Sequence, residues 1–212
     1  MTALLESGAK PPYSPAWLRE RLARGVPGGA ALGGDPGGNL ATRLTPAAVL
    51  VLIVGRAQGP SVLFTERTAH LNDHAGQVSF PGGRSEPGDG SAVDTALRET
   101  FEEIGIEPAR VEILGQLPEY LTRTGFRVTP VVGFVVPPFE LTPDSFEVAE
   151  VFEVPLAFLL DPANHQQQEF TRDGVTRHFW AIPYEGHYIW GATAGMLMNL
   201  YRCLTSPPAT IS

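Results

Sequence analysis

GRSEPGDGSAVDTALRETFEEIGI, residues 83–106, is the stretch on which the reading of this chain turns. From residue 92 to residue 104, core-type side chains recur every three or four positions, which predicts a helix. Val93, Ala96, Leu97, Thr100, Phe101 and Ile104 share the face expected to meet a core. Gly105 stands where a left-handed cap is expected to end it. Glu99, Glu102 and Glu103 fall on the other side, three and four residues apart, so three carboxylates converge within one turn. Such a cluster costs roughly 0.2–0.5 kcal/mol per like-charged pair, and acids in a last turn also oppose the helix dipole. An acidic helix face is ordinarily just solvated, but a bound divalent cation would remove both costs. Hard carboxylate oxygens suit Mg²⁺ or Mn²⁺, which commonly bridge protein carboxylates to the phosphates of a substrate. Arg98, four residues before Glu102, is placed to orient that carboxylate from its flank. Gly82 and Gly83, just upstream, make a loop whose N–H groups can approach a phosphate or a metal-bound ligand.

Working outward, the periodicity changes. Residues 47–54 are continuously apolar, and residues 61–65 follow after a Gln58-Gly59-Pro60 turn, which predicts a pair of strands joined as a hairpin. Residues 77–80 read as a short strand running into Pro81-Gly82-Gly83. Downstream, strands are expected over 111–117, 128–136, 175–183 and 188–190, with a helical turn near 155–160 and a closing apolar helix over 192–204. At the other end, Ser14 and Pro15 signal a helix start, with Trp17, Leu18 and Leu22 on one face. Residues 25–38, rich in Gly, Pro and Ala, read as a loop. Residues 1–40 are therefore taken as an N-terminal arm with a short helix and a Gly/Pro-rich loop, and residues 41–212 as the domain proper. Strands and helices mix without the regular alternation of a wound parallel sheet, so the fold class is α+β, and no internal repeat is visible.

Composition narrows the partners. The chain has 212 residues, 43% of them hydrophobic, enough for one domain with a substantial core. Fifteen basic against 23 acidic side chains give a net charge of -8, and Lys10 is the only lysine. With no basic run to break that field, nucleic acid is not an expected partner. Cys203 is the single cysteine, so no internal disulfide and no thiolate metal cage can form. In an apolar helix it is expected to be buried packing. Residues 1–15 show no basic region followed by an apolar stretch, and residues 47–54 are far too few to span a bilayer. The expectation is a cytoplasmic protein without a membrane anchor; oligomeric state is not legible.

Residues 83–106 closely resemble the Nudix box, GX5EX7REUXEEXGU with U a bulky apolar residue. Arg98, Glu99, Glu102, Glu103 and Gly105 meet its ending in full, while Asp89 stands for its first glutamate, one extra residue precedes Arg98, and Thr100 takes a position usually apolar. Residues 63–83, LFTERTAHLNDHAGQVSFPGG, are similar to the motif upstream of the box in the coenzyme A pyrophosphatase subfamily. Arg67, His74, Gly76, Gln77 and Phe80 to Gly83 match it, and Asn72 replaces an arginine. EVAEVFEVPLAFLL from Glu147 and IWGATAGML from Ile189 also resemble this branch, so the likeness runs from about Pro46 onward.

The resemblance implies an α/β/α sandwich with a mixed β-sheet between helices. It implies hydrolysis of coenzyme A to 3',5'-ADP and 4'-phosphopantetheine with Mg²⁺ or Mn²⁺. Glu102 and Glu103 would bind the metal, Glu99 would be a third ligand or help activate water, and Arg98 would hold the glutamates in place. Arg67, His74, Gln77, Gly82 and Gly83 would face the substrate, although a structural hydrogen bond serves His74 or Gln77 equally well. A later-loop acid often completes such sites, and Glu147 and Glu150 are the candidates. Arg123 and Arg127 are either phosphate contacts or surface ion pairs. His165, His178 and His187 have no partner identifiable in the sequence. Two other functions share the same residues: a Nudix hydrolase of ADP-ribose or another nucleoside diphosphate derivative, and a non-catalytic ligand-sensing module.

Overall fold

The apolar run at residues 47–54 becomes the spine of the molecule. The structure, a computed structural model, describes residues 13–26, 31–35, 44–69, 76–172 and 174–206. In chain order its elements are helix α1 (Pro15–Arg24), strands β1 (Thr45–Val54), β2 (Ser61–Arg67), β3 (Val78–Ser79) and β4 (Gly82–Arg84), helix α2 (Ala92–Ile104), strands β5 (Glu112–Gln116), β6 (Tyr120–Leu121), β7 (Phe126–Val135) and β8 (Val148–Pro155), the single turn α3 (Leu156–Leu159), strands β9 (Gln166–Arg172), β10 (Val175–Tyr184) and β11 (His187–Trp190), and helix α4 (Gly191–Thr205).

β1 runs parallel to β7 in register from Thr45 opposite Phe126 to Val54 opposite Val135. Its other edge is shared. β2 pairs with its end through Ile53 and Val62, and β4 with its middle through Val49 and Gly82. β2 in turn carries β3 and β8, and β7 carries β5 and β6. The resulting mixed sheet is covered on both faces, which is why β1 reads as an unbroken apolar run instead of an alternating one. Ala48, Leu50, Leu52 and Val54 pack with Ala96 and Ile104 of α2. Ala47, Val51 and Ile53 point the opposite way, into a core with Leu18 and Leu22 of α1 and Met196, Leu197 and Leu200 of α4. β9, β10 and β11 form a separate antiparallel sheet, whose Ile182 and Ile189 join the α4 side of the core. This is the expected α/β/α sandwich, and no helix among the described residues is long and apolar enough to cross a membrane.

The stretch read as an N-terminal arm contributes to that core. Ser14 caps α1 by accepting from the Trp17 N–H at 3.3 Å. Beyond it, the buried amide of Asn199 holds both backbone groups of Leu32, accepting from its N–H at 2.8 Å and donating to its carbonyl at 3.0 Å.

Two expectations need correction. Beyond the strands expected from the sequence, the structure has β6, β8 and β9, and Gly82 and Gly83, expected as a loop, form β4 on the edge of β1. β8 pairs with β2 alone, so its acids Glu150 and Glu153 need not enter a core, and β9 is a polar edge strand held by the backbone of β10. On α2, Phe101 is 44% exposed while Glu103 is 6% exposed, the reverse of the amphipathic assignment. Ala96, Thr100, Glu103 and Ile104 line the buried side, and Thr100 satisfies its hydroxyl on the Ala96 carbonyl at 2.6 Å.

Candidate active site

Between β3 and β4 the chain steps from the edge of β2 to the edge of β1, with the Pro81 carbonyl accepting from the Leu50 N–H at 2.8 Å. Gly82 follows at φ 150°. A Cβ there would lie 2.5 Å from the Val49 Cα and collide with the Ala48 carbonyl oxygen, so the step requires glycine. The Gly82 N–H donates to Glu103 Oε2 at 3.1 Å, which explains how an acid can enter the buried side of α2. Burial nevertheless pushes the Glu103 carboxyl up to about 8, against the pull of the Gly82 N–H and the nearby positive charge of Arg67, while Glu99 and Glu147 push it further up.

Gly83 serves Glu99. A Cβ on Gly83 would sit 2.6 Å from the Glu99 carboxyl carbon, so the carboxylate rests directly on the glycine α-carbon. Burial raises the Glu99 pKa, Arg98 lowers it, and Glu102 and Glu147 add to the rise. Arg98 is the hub of the cluster. Its Nη1 donates to Glu99 Oε1 and to Glu102 Oε2, both at 3.0 Å, and its Nη2 donates to the Arg84 carbonyl at 3.0 Å. Its Nε and Nη2 clamp the two oxygens of Asp89, each at 3.0 Å.

Asp89 thus has a defined place despite its departure from the family pattern. Besides Arg98, it accepts from the Glu86 N–H at 2.8 Å and the Thr95 hydroxyl at 2.8 Å. Hydrogen bonding to Arg98 is the main reason its carboxyl lies well below the usual range. The shorter side chain still reaches Arg98 because the loop before α2 folds back on itself. Asp89→Ala is expected to weaken activation by divalent metal roughly 10- to 100-fold, as loss of an orienting outer partner does; a Mg²⁺ titration of activity gives the value.

The structure separates the two later acids. Glu147 stands at the turn before β8 and its charge acts on both Glu99 and Glu103. Glu150 instead lies opposite Glu66 on β2, with His187 Nε2 3.8 Å away. Arg67 lies near enough to Glu103 for its positive charge to pull that carboxyl's pKa down. Gln77 contributes its carbonyl to the Arg67 N–H at 3.1 Å. His74 and Asn72 lie outside the described residues. Arg127 forms an exposed pair with Glu119 at 3.6 Å, and the Arg123 N–H donates to Asp35 at 2.8 Å.

The three histidines without a sequence partner each have one. His165 meets the Leu159 carbonyl at 2.8 Å, His178 lies 3.9 Å from Glu169, and His187 lies 3.3 Å from Glu66. Cys203 is buried and free, its thiol pushed up to about 11 by burial, which suits packing.

The cluster suits a hard cation. Its side-chain donors are carboxylate oxygens only; on top of burial, Glu99 and Glu147 raise the Glu103 carboxyl, and Glu102 and Glu147 raise that of Glu99, a repulsion that a dication would relieve.

A profile of the NUDIX domain matches residues 44–174. The uncharacterized Nudix hydrolase NudL of Escherichia coli K12 is 44% identical over 154 residues, 73% of this chain and 80% of that protein. Among solved structures, an Ap4A hydrolase from C. elegans in a binary complex is 22% identical, with a TM-score of 0.44 over 52% of this chain and 80% of the other. A MutT/nudix family protein from Enterococcus faecalis is 17% identical, with a TM-score of 0.48 over 77% and 61%. The matched span runs from the strand that seats Gly82 through the helix of glutamates to the polar edge strand, and the chain belongs to the Nudix hydrolase family.

Proposed function

We propose that this chain is a divalent-metal-dependent pyrophosphohydrolase that cleaves coenzyme A or its derivatives to 3',5'-ADP and 4'-phosphopantetheine or its acyl form. The supporting observation is the placement of the stretch that resembles the coenzyme A pyrophosphatase motif. Arg67 sets its charge beside Glu103, Gly82 donates to the same carboxylate, and Gly83 bears Glu99. In this reading Glu102 and Glu103 bind Mg²⁺ or Mn²⁺, and Glu99 is a third ligand or helps to activate water. Glu147, not Glu150, is the acid that completes the cluster. When bound, the cation neutralises the pyrophosphate and lowers the pKa of the attacking water. Arg98 fixes Glu99 and Glu102 relative to each other, and Asp89 fixes Arg98. Arg67 offers a guanidinium to the substrate's phosphates, and His74 and Gln77 are its proposed neighbours in that contact.

A second reading rests on Asn72, where the motif has an arginine. One phosphate contact fewer favours a less charged substrate such as ADP-ribose. The test is hydrolysis of coenzyme A, ADP-ribose and NADH with Mg²⁺ or Mn²⁺, with Glu102→Gln as control. Coenzyme A is expected to be cut best and the variant to be inactive. If ADP-ribose is preferred, only the pyrophosphohydrolase chemistry survives, and if nothing is cut, the domain is a ligand sensor.

A further inference from the structure

On the sheet face turned away from α2, a second group of metal-ligating side chains comes together. β2 and β8 place Glu66 and Glu150 directly opposite each other. Along both strands the alternation assigns them to the α1/α4 side: Phe64 and Val154 pack into that core and Phe152 packs against it, while Leu63 packs on the α2 side. Like charges facing each other across a ladder repel. Into this pair the separate three-stranded sheet inserts His187, from the start of β11. Its Nδ1 lies 3.3 Å from Glu66 Oε2 and its Nε2 lies 3.8 Å from Glu150 Oε1. Phe152, two residues beyond Glu150, stacks on the imidazole with centroids 3.6 Å apart and planes 6° apart, which fixes the orientation of the ring.

We propose that Glu66, Glu150 and His187 form a second cation site, distinct from the carboxylates of α2, that takes a zinc-class transition metal. One ligand atom from each residue lies within 4.8 Å of the other two. An ion can take only one of the two ring nitrogens, and a tetrahedral ion with bonds of roughly 2.1 Å needs its donors roughly 3.4 Å apart, so from separations within 4.8 Å the two carboxylates must turn toward that one nitrogen to close the site. Two carboxylates and a neutral imidazole balance a dication. The nitrogen donor selects against Mg²⁺, which prefers oxygen, and in favour of Zn²⁺. Three protein donors leave the fourth tetrahedral position to water. The ion would tie β11 to β2 and β8 directly behind Arg67. The competing account is an ion pair alone, an imidazolium held between two carboxylates.

Co²⁺ serves as a spectroscopic stand-in for Zn²⁺ in the full chain. We expect one equivalent with tetrahedral absorption, displaced by Zn²⁺, kept in Glu102→Gln and lost in both His187→Ala and Glu150→Gln. Zn²⁺ added to protein already saturated with Mg²⁺ is expected to raise the Tm of the wild type by several degrees and to leave that of Glu150→Gln unchanged. Glu150 is 55% exposed at its side chain, so its replacement spares the fold and decides the matter if His187→Ala does not fold. An equivalent retained in Glu150→Gln, or no tetrahedral equivalent in the wild type, overturns the site and leaves the ion pair.

Discussion

Glu103→Gln is expected to reduce hydrolysis at least 100-fold and, in the same protein, to raise the thermal stability of the metal-free form at pH 8. The first effect follows from losing a charged oxygen at the site proposed for the metal; loss of a mere outer partner already costs roughly 10- to 100-fold. The second follows from burial. The Glu103 carboxyl titrates at about 8 in the folded chain against 4.5 as the ordinary value. Between those values the folded state holds a proton that the unfolded state has released, so stability falls as pH rises. The contribution is intact below about pH 4.5 and is lost as the pH rises through about 8. Glutamine keeps an oxygen for the Gly82 N–H and carries no charge. Its advantage at pH 8 should be on the order of 2–3 kcal/mol, roughly 5–10 °C in Tm, and should vanish near pH 5. Melts of both proteins in chelator across that range are the measurement, and parallel curves would refute the burial argument. Mg²⁺ should restore the wild type and leave the variant unchanged.

Gly82→Ala and Gly83→Ala are expected to fail in opposite ways although the residues are neighbours. At Gly83 the obstacle is the end of a flexible side chain, the Glu99 carboxylate 2.6 Å from the new Cβ. Glu99 moves aside, the fold survives, and activity drops about 100-fold with little change in Tm. At Gly82 the obstacles are the Val49 Cα and the Ala48 carbonyl of β1, and φ 150° is itself closed to alanine. Neither can give way without breaking the spine of the sheet, so several kcal/mol of stability are lost. Kinetics beside a chemical denaturation series separate the two. An active, stable Gly83→Ala would show that Glu99 does not need its seat.

The features legible in the sequence are those written in local pattern. The unbroken apolar run of β1 and the left-handed Gly105 at φ 77° follow from neighbouring residues, as does the reach of Arg98 to Glu102. What stayed hidden depends on partners far along the chain. Glu103 could not be placed on the buried side of α2 without knowing that the Gly82 N–H waits there, 21 residues earlier. From the sequence the glycines read as a loop open to a phosphate or a metal-bound ligand, and which carboxylate each one meets, Glu103 for Gly82 and Glu99 for Gly83, is visible only in the structure. Glu147 and Glu150 look equivalent as letters. A turn ends and β8 begins between them, which sends one toward α2 and the other to the opposite face. His187 finds Glu66 across 121 residues, a meeting of two sheets that no local pattern encodes.

The pairing of β4 with β1 also determines how the molecule breathes. The ladder that carries Gly82 is Ala47 to Val49, whose Ala47 and Ala48 are buried and which runs straight into the fully buried Leu50 to Val54, so it is expected to open only with the core. Glu103 and Glu99, which rest on Gly82 and Gly83, are therefore attached to a ladder whose amides are expected to exchange slowly. Heat or denaturant is expected to remove their alignment and the fold together.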